Sequence, residues 1–221
     1  TGLVVGIVCV SWFVLRQRRI KHPLIHMSIF KSHTYVVSFI AQNLLNASFM
    51  GITLILPLFI VNVAQMTPVD AGLVFLPTTI LAAVFNPLAG ILSDKIGPRP
   101  VIVVSAFLLV AGSGAMAFIT ADTPFWLITA LQVVRGIGVS SIIGPLNSWG
   151  MHKLPVENMI DGSAFFTTVR QACASFGTAL MMLLISVVGG ALGYNLALGL
   201  SALFAVGVLI CSVFFVRDLK S

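Results

Sequence analysis

The sequence predicts an all-α membrane protein: a bundle of six transmembrane helices with one further, truncated transmembrane helix before it. Three observations predict this class, namely the composition, the length of the apolar runs and the distribution of cations. Of the 221 residues, 58% are hydrophobic and 8% are charged, and the mean hydropathy is +1.09. Soluble domains carry about 25% charged residues. We therefore expect lipid, rather than water, to surround this chain.

Seven apolar runs, bounded by charged or turn residues, give the number of helices. A helix needs about 20 residues to cross about 30 Å of hydrocarbon. Six runs meet this length, and the first is the end of a helix cut off by the start of the chain. The runs cover residues 1–15, 35–62, 72–92, 101–119, 125–149, 162–188 and 196–216.

The cations divide the connections between these runs into two sides. The connections after residues 62, 119 and 188 contain no Lys or Arg. If the first connection is cytoplasmic, the cytoplasmic side collects Arg16, Arg18, Arg19, Lys21, Lys31, Lys95, Arg99, Lys153, Arg217 and Lys220. By the positive-inside rule, this predicts a multi-pass protein of the cell membrane with a cytoplasmic C-terminus. Topology also explains the isoelectric point of 9.7 without nucleic-acid binding.

The expected domain organisation follows from these runs. Residues 1–15 end a linker transmembrane helix, residues 16–34 form a basic cytoplasmic connector, residues 35–216 form the six-helix bundle, and residues 217–221 are a cytoplasmic tail. The connector includes an amphipathic segment and basic residues suited to anionic lipids. The six helices divide into two groups of three, so the second group enters the membrane from the opposite side. This is the topology of an inverted repeat, without residue-level identity between the groups.

A short charged segment, residues 90–100, separates two of the spans. With Leu92 ending one apolar run and Val101 opening the next, about eight residues are expected to reverse the chain. Gly97 favours this reversal because glycine reaches positive φ at low cost.

The segment Gly90-x-Leu-x-Asp94-Lys95-x-Gly97-x-Arg99-Pro resembles the G-x-L-x-D-R-x-G-R-R/K signature of the major facilitator superfamily. Lys95 replaces the commoner arginine, and a proline replaces the second basic residue. The stretches at residues 131–138 and 162–171 resemble the C-terminal half of fourteen-spanner drug:proton antiporters of the EmrB/QacA type.

This resemblance implies a 3+3 inverted repeat and secondary active efflux of small lipophilic or cationic compounds, coupled to proton influx by alternating access. It also implies that about seven helices, including an N-terminal bundle of the same polypeptide, are missing from this chain. Gly90, Asp94, Lys95, Gly97 and Arg99 would form a conformational-switch loop, in which Asp94 meets the N-terminal end of a helix in the missing bundle. The alternative is an ordinary tight turn.

Polar residues inside the spans are the candidates for a substrate cavity. One helical stripe carries Gln42, Asn43, Asn46 and Thr53, and amides rarely face lipid because they would lose their hydrogen bonds to water. Hydrogen bonding between helices is the alternative for this stripe. Two arginines within spans, Arg135 and Arg170, and Gln132 in the stretch 131–138, complete the set.

Each arginine either faces a cavity or hydrogen-bonds backbone carbonyls where helices are rich in glycine. No Asp or Glu lies deep in a span to pair with them, since Asp94 and Asp161 lie at helix ends. We therefore expect the proton-carrying carboxylate to belong to the missing half.

Other classes of function find little support in the sequence. Cys9, Cys173 and Cys211 are isolated in apolar runs, which is typical of small buried hydrophobes rather than disulfides. The four histidines fall in predicted cytoplasmic loops without acidic or cysteine co-ligands, so no metal site is expected. Neither a catalytic set nor a nucleotide-binding motif is recognisable, which argues against an enzyme and against a cofactor. A non-transporting sensor or scaffold and a transporter of one specific metabolite remain alternatives.

Overall fold

The computed structural model describes residues 33–151 and 156–216. These residues fold into seven α-helices, six of which are long and apolar enough to cross a membrane. The helices are α1 (His33–Asn62), α2 (Pro68–Leu73), α3 (Phe75–Ile96), α4 (Pro98–Met116), α5 (Phe125–Met151), α6 (Val156–Val188) and α7 (Gly190–Phe214). The predicted all-α class and its six spans are confirmed. The predicted helix at residues 1–15, the connector up to residue 32 and the tail at residues 217–221 lie outside the described residues.

The short helix α2 continues almost directly into α3, with Val74 between them. A capping box starts α2: the Thr67 hydroxyl accepts a hydrogen bond from the Asp70 amide at 3.2 Å, and the Asp70 carboxylate accepts one from the Thr67 amide at 3.0 Å. These bonds satisfy two amides that the first turn of a helix leaves without intrahelical acceptors. The second span therefore extends from residue 68 to residue 96, four residues further at each end than the sequence predicted.

The connection between α3 and α4 is a single residue, so the prediction of an eight-residue loop is wrong. Asp94 and Lys95 belong to the last turn of α3, and Arg99 lies in the first turn of α4. Gly97 makes the turn alone with φ 94° and ψ 157°, a conformation that other residues rarely adopt. Pro98 follows as the first residue of α4, where its missing amide hydrogen costs no intrahelical hydrogen bond.

The helices that contain the last two spans also begin earlier than the sequence predicted. Helix α6 starts at Val156 rather than at residue 162, and α7 starts at Gly190 rather than at residue 196. Gly189 alone separates these two helices. Gly189 and the following Gly190 both have positive φ, 70° and 55° respectively. The apolar runs predicted longer connections because two kinds of residue lower the local hydropathy without ending a helix. These are the charged residues Glu157 and Asp161 near the start of α6 and the glycines near the start of α7.

The helices pair as an inverted repeat. One group contains α1, α3 and α4, and the other contains α5, α6 and α7. Helix α1 packs against α6 and α7, and its counterpart α5 packs in the same way against α3 and α4. The symmetric contacts, α1 with α5 and α4 with α7, are also present. The predicted 3+3 arrangement therefore appears in the helix contacts, although the two groups share no evident sequence identity.

Small residues bring α4 and α5 into close contact. A Cβ atom added at Gly138 would lie 2.6 Å from the amide nitrogen of Leu109 and 2.8 Å from the carbonyl oxygen of Ser105. The backbones therefore touch where only glycine fits, as is common between membrane helices. This crossing fixes α5, and with it the side chains that α5 presents towards α1.

Burial differs strongly among the spans. Half of the most apolar stretch of α1 and of α5 is buried, whereas α3 and α6 expose most of theirs. The exposed faces of α3 and α6 carry two amide side chains, Asn86 and Gln171, within the spans. The centre of the bundle is thus formed by α1 and α5, and α3 and α6 flank it.

Candidate functional site

A small, open cleft lies between α1, α5 and α6. Helix α1 supplies most of its wall because residues four and seven positions apart share one helical face. The lining residues are Gln42, Leu45, Asn46 and Phe49 from α1, Val139 and Ile143 from α5, and Arg170 from α6. Three of the seven predicted cavity residues, Gln42, Asn46 and Arg170, therefore lie together in this cleft.

Gln42 is buried, with 3% of its surface exposed, and its amide nitrogen has no hydrogen-bond partner among the described residues. Leaving a buried donor unpaired costs about 1 to 3 kcal/mol. The side chain lines the cleft but its amide nitrogen is enclosed, so a rotation that turned this nitrogen towards a ligand acceptor would remove the cost. Gln42 is thus available for a ligand in a way that a fully bonded amide is not.

Asn46 has a different role, since its amide nitrogen donates to the main-chain carbonyl of Arg170 at 3.0 Å. This hydrogen bond joins α1 to α6 at the cleft and fixes the backbone that carries Arg170. The Arg170 side chain is partly buried and makes no ion pair or hydrogen bond with the other residues described. Its five N–H donors are consequently free to meet a ligand.

Arg135 lies behind the cleft rather than in its lining. The side chain is fully buried on α5, and its Nη2 donates to the carbonyl oxygen of Ser48 on α1 at 3.1 Å. Its Cζ lies 5.8 Å from the centre of the Phe49 ring, and this ring lines the cleft. Nε and Nη1 have no partner among the described atoms. The geometry corresponds to the interhelical alternative that the sequence left open for this arginine.

A serine pair that sequence analysis did not select completes this junction. The hydroxyls of Ser48 and Ser201 lie 2.7 Å apart, and the Ser201 hydroxyl also lies 3.3 Å from the Ser48 carbonyl oxygen that Arg135 binds. One carbonyl of α1 thereby meets donors from α5 and α7. Isolated serines in apolar runs give little sequence signal, because most of them bond within their own helix.

The remaining cavity candidates lie outside the cleft lining. Asn43 is buried and donates to the Phe39 carbonyl at 2.6 Å, and Thr53 is exposed and donates to the Phe49 carbonyl at 2.8 Å, both within α1. Gln132 is buried on α5 with its amide oxygen unpartnered among the described residues. These three side chains are polar, as the cleft residues are, but they do not line the cleft.

The predicted switch residues form the turn between α3 and α4. Asp94, Lys95 and Arg99 are all exposed, and the described part of the chain offers them no ion pair. Gly97 makes the turn, and a Cβ added at Gly90 would meet nothing within 4 Å among these residues. Gly90 therefore makes no close helix contact within the described bundle.

Six helices long and apolar enough to cross a bilayer define a multi-pass membrane protein. The sequence profile described as Major Facilitator Superfamily matches residues 1–178. The chain belongs to this superfamily, which confirms the resemblance noted in residues 90–100.

Several curated relatives align with most of the chain. The lincomycin resistance protein LmrB of Listeria monocytogenes is 28% identical over 84% of this chain and 39% of its own length. The multidrug resistance protein B homolog of Mycobacterium tuberculosis is 27% identical over 84% of this chain and 34% of its own length. The riboflavin transporter RibZ of Clostridioides difficile is 26% identical over 81% of this chain and 40% of its own length. The chain thus spans well under half the length of these relatives.

Proposed function

We propose that this chain is the C-terminal half of a secondary transporter that exports small lipophilic compounds in exchange for protons. The observation that carries the proposal is the cleft between α1, α5 and α6, where free amide and guanidinium donors adjoin apolar side chains. Membership of the superfamily and the similarity to two drug-resistance proteins support it.

The lining suits compounds that differ in shape. Leu45, Phe49, Val139 and Ile143 offer apolar surface, which attracts lipophilic bodies without strict geometry. A few polar groups then orient the ligand. Because the cleft is small and open, it would form one wall of a larger substrate cavity. The opposite wall would come from a second helical bundle.

The faces of α3 and α6 support the existence of that second bundle. Asn86 and Gln171 are exposed within these spans, and hydrocarbon cannot hydrogen-bond their amides. A second helical bundle of the same polypeptide, packed on α3 and α6, would cover these amides. The relatives are long enough to contain it, because this chain spans only 34% to 40% of their lengths.

Proton coupling, in this proposal, depends on a carboxylate from the second bundle. No acidic residue of the described ranges lines the cleft. The acidic residues there lie outside the predicted spans or at their ends, namely Asp70, Asp94, Asp122, Glu157 and Asp161. A cationic substrate would likewise find its counter-charge on the second bundle. The cation distribution supports a cell-membrane location with the C-terminus in the cytoplasm.

Efflux from proteoliposomes that hold the full-length protein tests this function. With ethidium as the probe, we expect transport to follow an imposed pH gradient and to stop when a proton ionophore collapses it. ATP should have no effect. Liposomes without protein measure passive leak. Efflux that needs ATP and ignores the ionophore would contradict the proposal.

A transporter of one specific metabolite is the second candidate. The unpartnered nitrogen of Gln42 favours it, since a fixed buried donor selects for a ligand acceptor at one position. The similarity to the riboflavin transporter RibZ supports the same reading. Riboflavin transport by the same proteoliposomes, unaffected by excess ethidium, would favour this candidate over multidrug efflux.

A further inference from the structure

We propose that this cleft selects organic anions: it binds the carboxylate, phenolate or sulfonate end of an amphiphilic compound and disfavours cations of the same shape. This inference rests on the proposed transport function and specifies its substrate class. It depends on the hydrogen-bond donors, the charges and the aromatic surface of the cleft.

The free polar groups of the cleft are mainly donors. The buried amide nitrogen of Gln42 lacks a partner among the described residues, and the Arg170 guanidinium is likewise unpaired. The amide nitrogen of Asn46 is already bonded to the Arg170 carbonyl, which leaves Asn46 a neutral acceptor. A ligand oxygen that approaches α1 and α6 can therefore receive hydrogen bonds from two different helices.

The charge of the cleft has one sign. Arg170 carries a positive charge, and no carboxylate is among the described residues that line the cleft. A guanidinium binds a carboxylate through two parallel hydrogen bonds, which makes this pairing strong and directional. A cation at the same place would face Arg170 without a compensating acid on this wall.

Arg135 adds a second positive charge behind the wall. Its Cζ lies 5.8 Å from the centre of the Phe49 ring, whose side chain lines the cleft. Arg135 is fully buried, so water screens its charge weakly. Both arginines therefore raise the electrostatic potential where a ligand would bind.

The apolar part of the cleft indicates the rest of the ligand. Phe49 offers an aromatic face beside Ile143 and Val139, which suits a flat apolar body. The polar end would then reach Gln42 and Arg170. An aromatic ring system that carries an acidic group combines both features.

A pair of dyes with one ring system and opposite charge provides the test. Fluorescein is an anionic xanthene and rhodamine 123 is a cationic one. In proteoliposomes with the full-length protein and a pH gradient, we expect a KM for fluorescein at least about tenfold below that for rhodamine 123, because charge-assisted hydrogen bonds are worth about a factor of ten or more.

Three variants assign the preference to the cleft. Arg170→Gln and Gln42→Leu should each lower the ratio of fluorescein to rhodamine 123 transport about tenfold. Arg170→Lys keeps the charge and should retain most of the ratio. Because both dyes are measured in the same preparation, the ratio is independent of the amount of folded protein.

The outcomes separate this inference from the transport function. Transport of rhodamine 123 in preference to fluorescein, or a ratio unchanged in both Arg170→Gln and Gln42→Leu, would overturn the anion preference and leave the transport function intact. If the wild-type protein neither binds nor moves either dye under a pH gradient, the transport function and the anion preference both fail.

Discussion

The Nη2 atom of Arg135 on α5 donates to the main-chain carbonyl of Ser48 on α1 at 3.1 Å, in the fully buried centre of the bundle. The two helices are the first members of the two groups, so this bond lies between the halves of the inverted repeat. The same carbonyl also meets the Ser201 hydroxyl of α7. The Ser48 carbonyl of α1 thus meets donors from two other helices. Substitutions at this junction should therefore change the stability of the bundle.

Arg135→Ala is expected to destabilise the bundle by about 3 kcal/mol, because it removes a hydrogen bond and leaves a cavity at a fully buried site. Arg135→Met should cost less, since methionine fills most of the volume and removes a buried charge whose Nε and Nη1 lack partners. Thermal unfolding in detergent measures both. Equal destabilisation by the two substitutions would mean that the bond to Ser48, rather than packing, holds the junction.

Ser201→Ala should destabilise the bundle by about 1 kcal/mol, because it deletes the 2.7 Å contact with the Ser48 hydroxyl that joins α7 to α1. Ser212→Ala is the matched control. Ser212 is equally buried on α7, but its hydroxyl bonds the Val208 carbonyl of its own helix at 2.7 Å. The same unfolding measurement should find Ser212→Ala nearly neutral, and a loss as large as that of Ser201→Ala would argue against an interhelical role.

Gly138→Ala should destabilise the bundle by about 1 to 3 kcal/mol, since the new methyl group would meet the backbone of α4 at Leu109, which cannot move aside as a side chain can. Gly114→Ala on α4 is the control, because a Cβ there meets nothing within 4 Å of the described atoms. Alanine favours helix over glycine by about 1 kcal/mol, so this control should be neutral or stabilising. Similar melting temperatures for both variants would show that the α4–α5 crossing tolerates separation.

Hydropathy and helical spacing were enough to predict the spans and to place two of the cleft residues on one helix face. Hydropathy reports which segments enter lipid, and the spacing of Gln42 and Asn46 places them on one face of α1. Spacing does not report partners, however. Asn43 and Thr53 bond within α1, whereas Ser48 and Ser201, on helices far apart in sequence, meet each other.

The single-residue turn was missed because charge marks the edge of the hydrocarbon rather than the end of a helix. Helices α3 and α4 extend beyond their apolar stretches. They therefore include the charged residues Asp94, Lys95 and Arg99. Between Asp94 and Arg99, Gly97 alone has a positive φ. The position of Arg170 in the cleft could not be predicted from sequence either, because no pattern within α6 shows that Arg170 lies opposite Asn46.

Asp94→Asn tests whether this turn acts as a conformational switch. Asp94 is exposed in the last turn of α3, where the helix dipole disfavours an anion, so we expect its charge to serve a partner outside the described bundle. Pairing with a helix N-terminus is worth about 0.3 to 2 kcal/mol, and losing it would change the ratio of inward to outward states by up to about thirtyfold. Efflux by the full-length protein, at matched membrane expression and with Ser93→Ala as the neighbouring control, measures this. Wild-type efflux in Asp94→Asn would identify the segment as an ordinary turn.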